Sequence, residues 1–290
     1  MKHILLIFFL FLSLIQFSCM QTVPYVVPYA GDQLVINGIL TNDSLIVASI
    51  YRTAALQEER DSGLQLEDAR VELWVDDAFT ELLIHTSEGV YQSANGRVAE
   101  EAHRYQLRVS HPNMPSAQTP IIELPTAPEF YDYLYRDSMG FVSNTPVGEI
   151  TLEWANQDTL AWHTIQVRGI SADQEIVAGA RLQENWKYLY TDCGLSQLLN
   201  IDYLLPNRCF ESDTIQVSWS TASSSLVGLQ QFNIGLGGAT EGLHAFALSR
   251  FNTPSGMDFA FANPQPSYTN IEGGWGIWGA VNVKWYTIDL

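Results

Sequence analysis

Residues 104–109 read Arg-Tyr-Gln-Leu-Arg-Val, in which polar and apolar side chains alternate without a break. A period of two sends alternate side chains to opposite faces of a strand, so this segment predicts a half-buried β-strand. Residues 70–75, Arg-Val-Glu-Leu-Trp-Val, repeat the pattern with Val71, Leu73 and Val75 on the apolar face. Together, the two segments predict a fold that is mainly β.

Turn-forming residues divide the surrounding sequence into short strands. The link Thr41-Asn42-Asp43-Ser44 joins two apolar segments, 34–40 and 45–52, as a predicted hairpin, and Asp76-Asp77-Ala78 marks a second turn. About seven such strands fall within some 95 residues, a density typical of immunoglobulin-like and prealbumin-like folds. We therefore expect an N-terminal β-sandwich over residues 31–126.

Prolines mark the exit from this region, and their close spacing disfavours helix; they are Pro112, Pro115, Pro120, Pro125 and Pro128. We place a domain boundary near residue 126 and expect a second strand-rich domain over 127–290. Its predicted strands are 130–135, 149–154, 162–169, 186–191, 214–220 and 231–236. We also expect one helix of about ten residues capped by Thr240, and we leave open a further helical turn within 195–205.

The first residues have the order of an export signal. Met1-Lys2-His3 carries positive charge, residues 4–17 are almost entirely apolar, and Ser18-Cys19 follows. The apolar run is shorter than the roughly 20 residues that span a bilayer, and its end resembles a bacterial lipobox. We predict a signal peptide over 1–18, a lipidated tether over 19–30 attached through Cys19, and no other link to the membrane. The alternative is an uncleaved anchor with an incidental cysteine.

The net charge of −18 at pH 7 limits the classes of ligand. A field of this sign repels nucleic acid and anionic lipid head groups, so neither is expected as a partner. The acidic residues form no calcium loop of the D-x-D-x-D-G type, and no histidine lies close enough to the cysteines in sequence to complete a zinc set. We expect no metal and no cofactor.

Two cysteines remain once Cys19 is assigned to the lipid. In an exported protein, a pair such as Cys193 and Cys209 is usually a disulfide. Closing a loop of this length would stabilise the fold by about 3 kcal/mol in the chain-entropy model. The alternatives are a metal-binding pair and two free thiols.

Sequence signatures of catalysis are missing. The chain holds no H-E-x-x-H zinc motif, no G-x-S-x-G nucleophile elbow and no G-x-x-x-x-G-K-[ST] phosphate loop. We therefore expect that the protein is not an enzyme, and we predict no catalytic residue. A hydrolase stays open as a third reading, because the two acids of a glycosidase need not be neighbours in sequence.

Aromatic residues supply the candidate binding sites. Tyr131, Tyr133 and Tyr135 alternate along one predicted strand and would form a ladder that stacks on sugar rings or on another protein. The alternative is that this face packs against the other sheet or a loop. Trp74, on the polar face of its strand, is a second candidate.

The strongest local pattern is residues 268–280, Tyr-Thr-Asn-Ile-Glu-Gly-Gly-Trp-Gly-Ile-Trp-Gly-Ala. Glycines between large apolar side chains suggest a tightly bent backbone beneath a packed aromatic cluster. We expect Asn270, Gly273, Gly274 and Gly276 to form a structural closure of the second domain, with the tryptophans packed inside. A ligand loop would instead show those rings to solvent.

This segment resembles the terminal signature N-I-x-G-G-x-G-[IV]-F-G-A of a Bacteroidota lipoprotein family, domain of unknown function 4249. Residues 34–43, the strand at 69–77, the region of Cys193 and Cys209 and the lipobox occur in the family's order. Trp278 stands where the family usually has phenylalanine. Members are often associated with TonB-dependent receptors, so the resemblance implies an outer-membrane receptor as partner.

Three readings of function follow from these observations. The first is a binding or accessory lipoprotein of the outer membrane, on its periplasmic or surface-exposed face, that partners a TonB-dependent transporter. The second is a structural or adhesive cell-surface protein that uses its β-sandwiches as spacers. The third is the hydrolase with dispersed carboxylates.

Overall fold

The computed structural model describes residues 31–54, 63–142, 145–157, 162–171, 176–177, 196–199, 202–207, 210, 212–222, 229–251 and 268–289. The predicted signal peptide (1–18), the tether with Cys19, the predicted strand at 186–191, and both Cys193 and Cys209 lie outside the described residues. The predicted lipidation and disulfide therefore stay predictions.

The described residues form seventeen strands and one helix, which confirms the prediction of a mainly β fold. The first eight strands are β1 (Leu34–Thr41), β2 (Val47–Arg52), β3 (Arg70–Val75), β4 (Ala78–Ser87), β5 (Val90–Ser93), β6 (Arg104–His111), β7 (Met114–Gln118) and β8 (Ile122–Glu123). The others are β9 (Phe130–Val142), β10 (Thr145–Ala155), β11 (Trp162–Ser171), β12 (Ile176–Val177), β13 (Ser196–Leu199), β14 (Asp202–Pro206), β15 (Thr214–Ala222), β16 (Leu229–Ala239) and β17 (Trp275–Asp289).

Alternation decides which side of these strands is buried. Val71 and Leu73 of β3 are buried, as are Tyr105, Leu107 and Val109 of β6, while the polar residues between them are not. The predicted hairpin forms between β1 and β2, which pair antiparallel. The predicted turn at residues 76–78 joins β3 to β4, and both of its aspartates adopt positive φ, at 51° and 64°. That geometry matches the twist of a two-residue hairpin turn.

Fourteen of the strands form one large curled sheet in the order β13-β14-β11-β16-β17-β1-β2-β5-β4-β3-β6-β7, with β12 beside β11 and β8 beside β6. The other three form a small sheet in the order β15-β10-β9. The last strand, β17, lies inside the large sheet, parallel to β1 and antiparallel to β16. Strands from before and after residue 126 thus share one sheet, and the predicted domain boundary stays a prediction.

The curl of the large sheet encloses the main hydrophobic core. Side chains from β1 to β7 meet there, and β17 adds Trp278 and Ala280. At the end of the curl, Gln118 of β7 meets Glu272, which lies just before β17. Each backbone N–H of this pair donates to the other residue's carbonyl oxygen at 2.9 Å. This contact brings the β7 edge back to the start of β17.

The one helix of the described residues is α1 (Glu241–Phe251), close to the predicted position and length. Thr240 precedes it, but its hydroxyl accepts the N–H of Ala280 at 3.1 Å. The predicted cap therefore ties the helix to β17, and the Thr240 carbonyl accepts the N–H groups of Leu243 and His244 at the start of the helix. The open expectation of a helical turn within 195–205 is wrong, because this segment supplies β13 and β14, which extend the sheet beyond β11.

Candidate functional site

A shallow groove of about 430 Å³ lies on the outside of the curl, between β6, β7 and the start of the terminal signature. Its lining comes from four separate stretches of the chain and includes charged side chains: Glu72, Arg108, Val109, Ser110, Ser116, Ala117, Gln118, Glu272 and Gly273. The groove is open to solvent, so it offers a surface to a ligand and does not enclose one.

Trp74 lies beside this groove, on the outer side of β3. It is half-buried, and the guanidinium carbon of Arg108 lies 3.7 Å from the centre of its ring. Arg108 is held there because its Nε donates to Oε1 of Gln106 at 3.1 Å. A guanidinium over an indole face is a favourable cation–π contact, and tryptophan and arginine are the residues most often critical at protein interfaces.

Glu72 is the carboxylate nearest to this pair along β3. It accepts hydrogen bonds from Nε of Arg70 at 2.8 Å and from the indole N–H of Trp74 at 3.1 Å. The bond from Arg70 is the largest cause that holds the pKa of Glu72 below its ordinary value, while partial burial works in the opposite direction. A glycosidase acid needs a raised pKa, so Glu72 is a poor proton donor for the hydrolase reading.

Apolar side chains continue this surface across β4. Phe79 meets Trp74 edge-on with 6.1 Å between ring centres, and Leu82 stands opposite Glu72 in the strand register. Together with Ile84, these two side chains are exposed. We refer to Trp74, Phe79, Leu82, Ile84 and Arg108 as the outer face.

The sequence predicted one member of the outer face, Trp74, and missed the others. A signal was present in residues 82–84, Leu-Leu-Ile, because consecutive apolar residues in a strand must point to opposite faces. Leu83 is buried in the core, so its two neighbours face outward. Arg108 carried no signal, since arginine on the polar side of a strand is ordinary.

The glycines of the terminal signature lie where the chain enters β17 against β1 and β7, a contact that we name the seam. A Cβ on Gly274 would lie 2.6 Å from the carbonyl oxygen of Leu34, and one on Gly276 would lie 2.0 Å from that of Ile36. Gly273 and Gly276 also adopt positive φ, at 76° and 113°. The seam needs glycine for both close approach and backbone conformation.

Asn270 holds the same turn from the side. Its Nδ2 donates to the carbonyl of Trp278 at 2.8 Å, and its Oδ1 accepts the N–H of Trp278 at 2.9 Å. Trp278 is fully buried in the main core. The expectation that both tryptophans pack inside is wrong for Trp275, which is 42% exposed, because it lies outside the curl and its indole N–H donates to Gln33.

The tyrosine ladder lies on β9 of the small sheet. Tyr131 and Tyr133 are exposed, and the side chain of Tyr135 lies outside the described part of the structure. The ladder is interrupted: Asp132 pairs with Glu153 and Phe130 with Trp154, so Tyr131 has no partner on β10 and occupies a β-bulge.

A buried histidine connects the small sheet to the large one. His163 of β11 has no exposed surface, and its Nδ1 lies 3.4 Å from the indole N–H of Trp154, which donates to it. Its Nε2 lies 3.3 Å from Oδ1 of Asn156 and 3.2 Å from that of Asn207. Burial lowers the pKa of His163 to about 4, so the ring is neutral at pH 7 and carries its proton on Nε2.

A family model, domain of unknown function (DUF4249), matches residues 21–287 of the chain. The chain belongs to this family. The match spans the outer face, the seam and the small sheet, so all three lie within the DUF4249 region. No curated protein matches the chain.

Within the described ranges, no cluster of three or more histidine, cysteine, aspartate or glutamate side chains is arranged to hold a metal ion. Of the same residues, no helix has the length and apolar character needed to cross a membrane.

Proposed function

We propose that this protein is a binding lipoprotein of the outer membrane that docks a TonB-dependent receptor through its outer face. The observation that carries the proposal is the exposed aromatic and aliphatic surface around the Trp74–Arg108 stack. The resemblance of the terminal signature to a family associated with TonB-dependent receptors supports the class of partner, and the lipobox-like segment at Cys19 supports the location.

The shape of the surface favours a protein over a small molecule. A small-molecule site encloses most of its ligand, whereas the groove is open and the apolar side chains spread over β3 and β4. Contiguous exposed apolar area beside polar groups is typical of a protein docking surface. Arg108, Glu72 and Glu272 at the groove would then give the interface its orientation through charged contacts at its margin.

The predicted lipid would bring this surface to the membrane. With Cys19 acylated, the tether over 19–30 would leave the folded body close to the bilayer in which a receptor resides. Replacing Cys19 with alanine should release the protein from membranes and abolish its lipid labelling. If Cys19→Ala were still labelled with lipid at the parental level, the proposed membrane attachment through Cys19 would be wrong.

Capture from detergent-solubilised outer membranes tests the partner. The tagged lipoprotein should retain a TonB-dependent receptor, identified by mass spectrometry, and Ile84→Glu should reduce the captured receptor by at least about tenfold. Ile121→Glu is the matched control, since Ile84 is 48% exposed and Ile121 is 47% exposed on the segment between β7 and β8. Both variants should keep the melting temperature of the parent protein.

Two results would contradict the proposal. One is capture of the receptor at the parental level by both Ile84→Glu and Phe79→Glu. The other is an equal loss of capture by Ile121→Glu, which would show that added charge, and not the outer face, decides binding.

A further inference from the structure

The small sheet ends in a long strand that has one neighbour. Among the described residues, β9 pairs with β10 alone, while β10 pairs with both β9 and β15. The outer edge of β9 therefore presents backbone N–H and C=O groups that no described strand takes up. Edge strands of this length are usually protected or paired, because they are templates for adding another strand.

The regular part of β9 is short and well defined. Residues 132–136 pair one-to-one with residues 149–153 of β10, and the register shifts at both ends of this segment. A strand that adds to the edge needs such an unbulged segment, because a bulge breaks the ladder of backbone hydrogen bonds. Any pairing partner of β9 is thus expected to centre on Leu134.

Side chains on both faces of β9 are exposed in this segment. Tyr133 and Leu134 point to opposite faces, because they are consecutive in a strand, and both are exposed, as is Tyr131. Large side chains exposed on two faces of an edge strand indicate a surface that is covered in an assembly.

The sequence around Leu134 is self-complementary when two copies of it pair antiparallel. In an antiparallel pair centred there, Asp132 of one copy stands opposite Arg136 of the other, and Tyr133 stands opposite Tyr135. The charge pair and the aromatic pair each occur twice. A parallel pair in the same register would instead place Asp132 on Asp132 and Arg136 on Arg136, which is destabilising.

We propose that β9 pairs antiparallel with β9 of a second copy of this chain, with a two-fold axis at Leu134. The two small sheets then form one six-stranded sheet across the dimer. Such an interface is isologous and closed, because each copy contributes the same segment and no free edge remains at β9. The inference is independent of the receptor proposed for the outer face.

The charges on the small sheet support a second copy of the chain as the partner of β9. Asp132 stands opposite Glu153 of β10, so two carboxylates are neighbours within the monomer. Like charges at opposed positions destabilise a sheet. Arg136 stands opposite Glu149 of its own β10, and in the dimer the Arg136 of the second copy would also lie beside Asp132. The Asp132 carboxylate now accepts the N–H of Tyr133 at 2.8 Å. In the dimer that N–H lies opposite the Tyr135 carbonyl of the second copy, which leaves Asp132 to pair with Arg136.

Disulfide trapping of the full-length protein in detergent tests the register. Opposed residues in an antiparallel pair have Cα atoms about 4.5–5.5 Å apart, within disulfide range, so Leu134→Cys should cross-link to itself under mild oxidation. Asp132→Cys should not, because its own counterpart lies four residues farther along the partner strand, about 13 Å away. A mixture of Asp132→Cys and Arg136→Cys should cross-link. Peptide mapping distinguishes these bonds from any that involve the natural cysteines.

A charge exchange tests the self-complementarity. Asp132→Arg should raise the dimer dissociation constant, measured by analytical ultracentrifugation in detergent, by at least about tenfold because each repulsive pair occurs twice. The double variant Asp132→Arg, Arg136→Asp should restore the parental constant. A monomeric parent protein, equal trapping at positions 132 and 134, or a double variant as weak as the single one would overturn the proposal.

Discussion

Two sheet edges of this protein differ in what they contact. At the seam, the β7 edge of the large sheet meets the chain just before β17, and glycines bring the backbones together. At β9, the edge of the small sheet carries exposed tyrosine and leucine and meets no described strand. The first edge is closed by the backbone pairing of Gln118 with Glu272, beside glycines that allow the close approach, and the second is left with side chains suited to contact.

The difference indicates that side-chain size decides whether a strand edge is closed within the chain or can contact another chain. Closure within one chain requires close backbone approach, which only glycine allows at Gly273 against β7 and at Gly274 and Gly276 against β1. Contact between separate chains can instead use large side chains, because the incoming surface is free to adapt its position. The seam is therefore expected to control stability, and β9 to control assembly.

The largest expected effect comes from a glycine of the seam. Gly276→Ala should lower the free energy of unfolding by about 5 kcal/mol or prevent folding, since its Cβ would overlap the Ile36 carbonyl and its φ is positive. Gly274→Ala should cost less, about 2–3 kcal/mol, since it meets the Leu34 carbonyl without a positive φ. Urea unfolding measures both.

Gly96→Ala separates backbone strain from overlap at the seam. Gly96 has a φ of 70°, but a Cβ there would meet nothing within 4 Å. Its replacement should cost only about 1–2 kcal/mol, the cost of a left-handed conformation in an L-residue. If Gly276→Ala were no more destabilising than Gly96→Ala, the seam would not be a tight closure and the comparison with β9 would fail.

The two tryptophans of the terminal signature sharpen the comparison within a few residues. Trp278 is 0% exposed and Trp275 is 42% exposed, so Trp278→Ala should cost about 3–5 kcal/mol. Trp275→Ala loses a solvent-exposed hydrogen bond to Gln33 and should cost less than about 1 kcal/mol. Chemical denaturation of both variants gives the difference, and similar losses would contradict the placement of Trp275 outside the curl.

A smaller effect is expected from pH at the junction of the two sheets. The pKa of His163 is about 4 in the fold and about 6.5 when unfolded, so the unfolded chain binds more protons between these values. The neutral ring of His163 makes its full contribution to stability above pH 6.5. As the pH falls toward 4, the free energy of unfolding decreases by up to about 3 kcal/mol. Denaturant unfolding at a series of pH values measures it.

The variant His163→Gln isolates this contribution. It should be less stable than the parent protein at pH 7, because the contacts to Asn156, Asn207 and Trp154 change, but its stability should fall less between pH 6.5 and 4. Parallel pH profiles for parent and variant would show that His163 does not titrate with a lowered pKa.

Much of the fold could be predicted, because alternation is a local property. The buried faces of β3 and β6, the hairpin of β1 with β2 and the turn at Asp76 all followed from neighbouring residues. The candidate site was harder to predict from the sequence, because the cation–π stack joins Trp74 to Arg108, which lie on different strands. Neither the residue types nor their spacing in the sequence predicts such a contact.

The local pattern also misled where tertiary contacts compete with it. Thr240 has the residue type and position of a helix cap, yet its hydroxyl accepts the N–H of Ala280, forty residues farther along the chain. Residues 195–205 permitted a helical turn, yet β14 takes the free edge of β11. In both cases a hydrogen-bond partner from a distant segment replaced the local one.

By itself, the sequence determined which residues form strands, which faces are buried and where glycine is needed, since these depend on side-chain period and size. The tertiary structure decided the partners. β1 pairs in parallel with β17, and Gly38 leaves room there for the ring of Trp278, with a Cβ position only 2.6 Å from it. Segments some 240 residues apart meet because burying that ring requires both of them, and no pattern within either segment specifies the other.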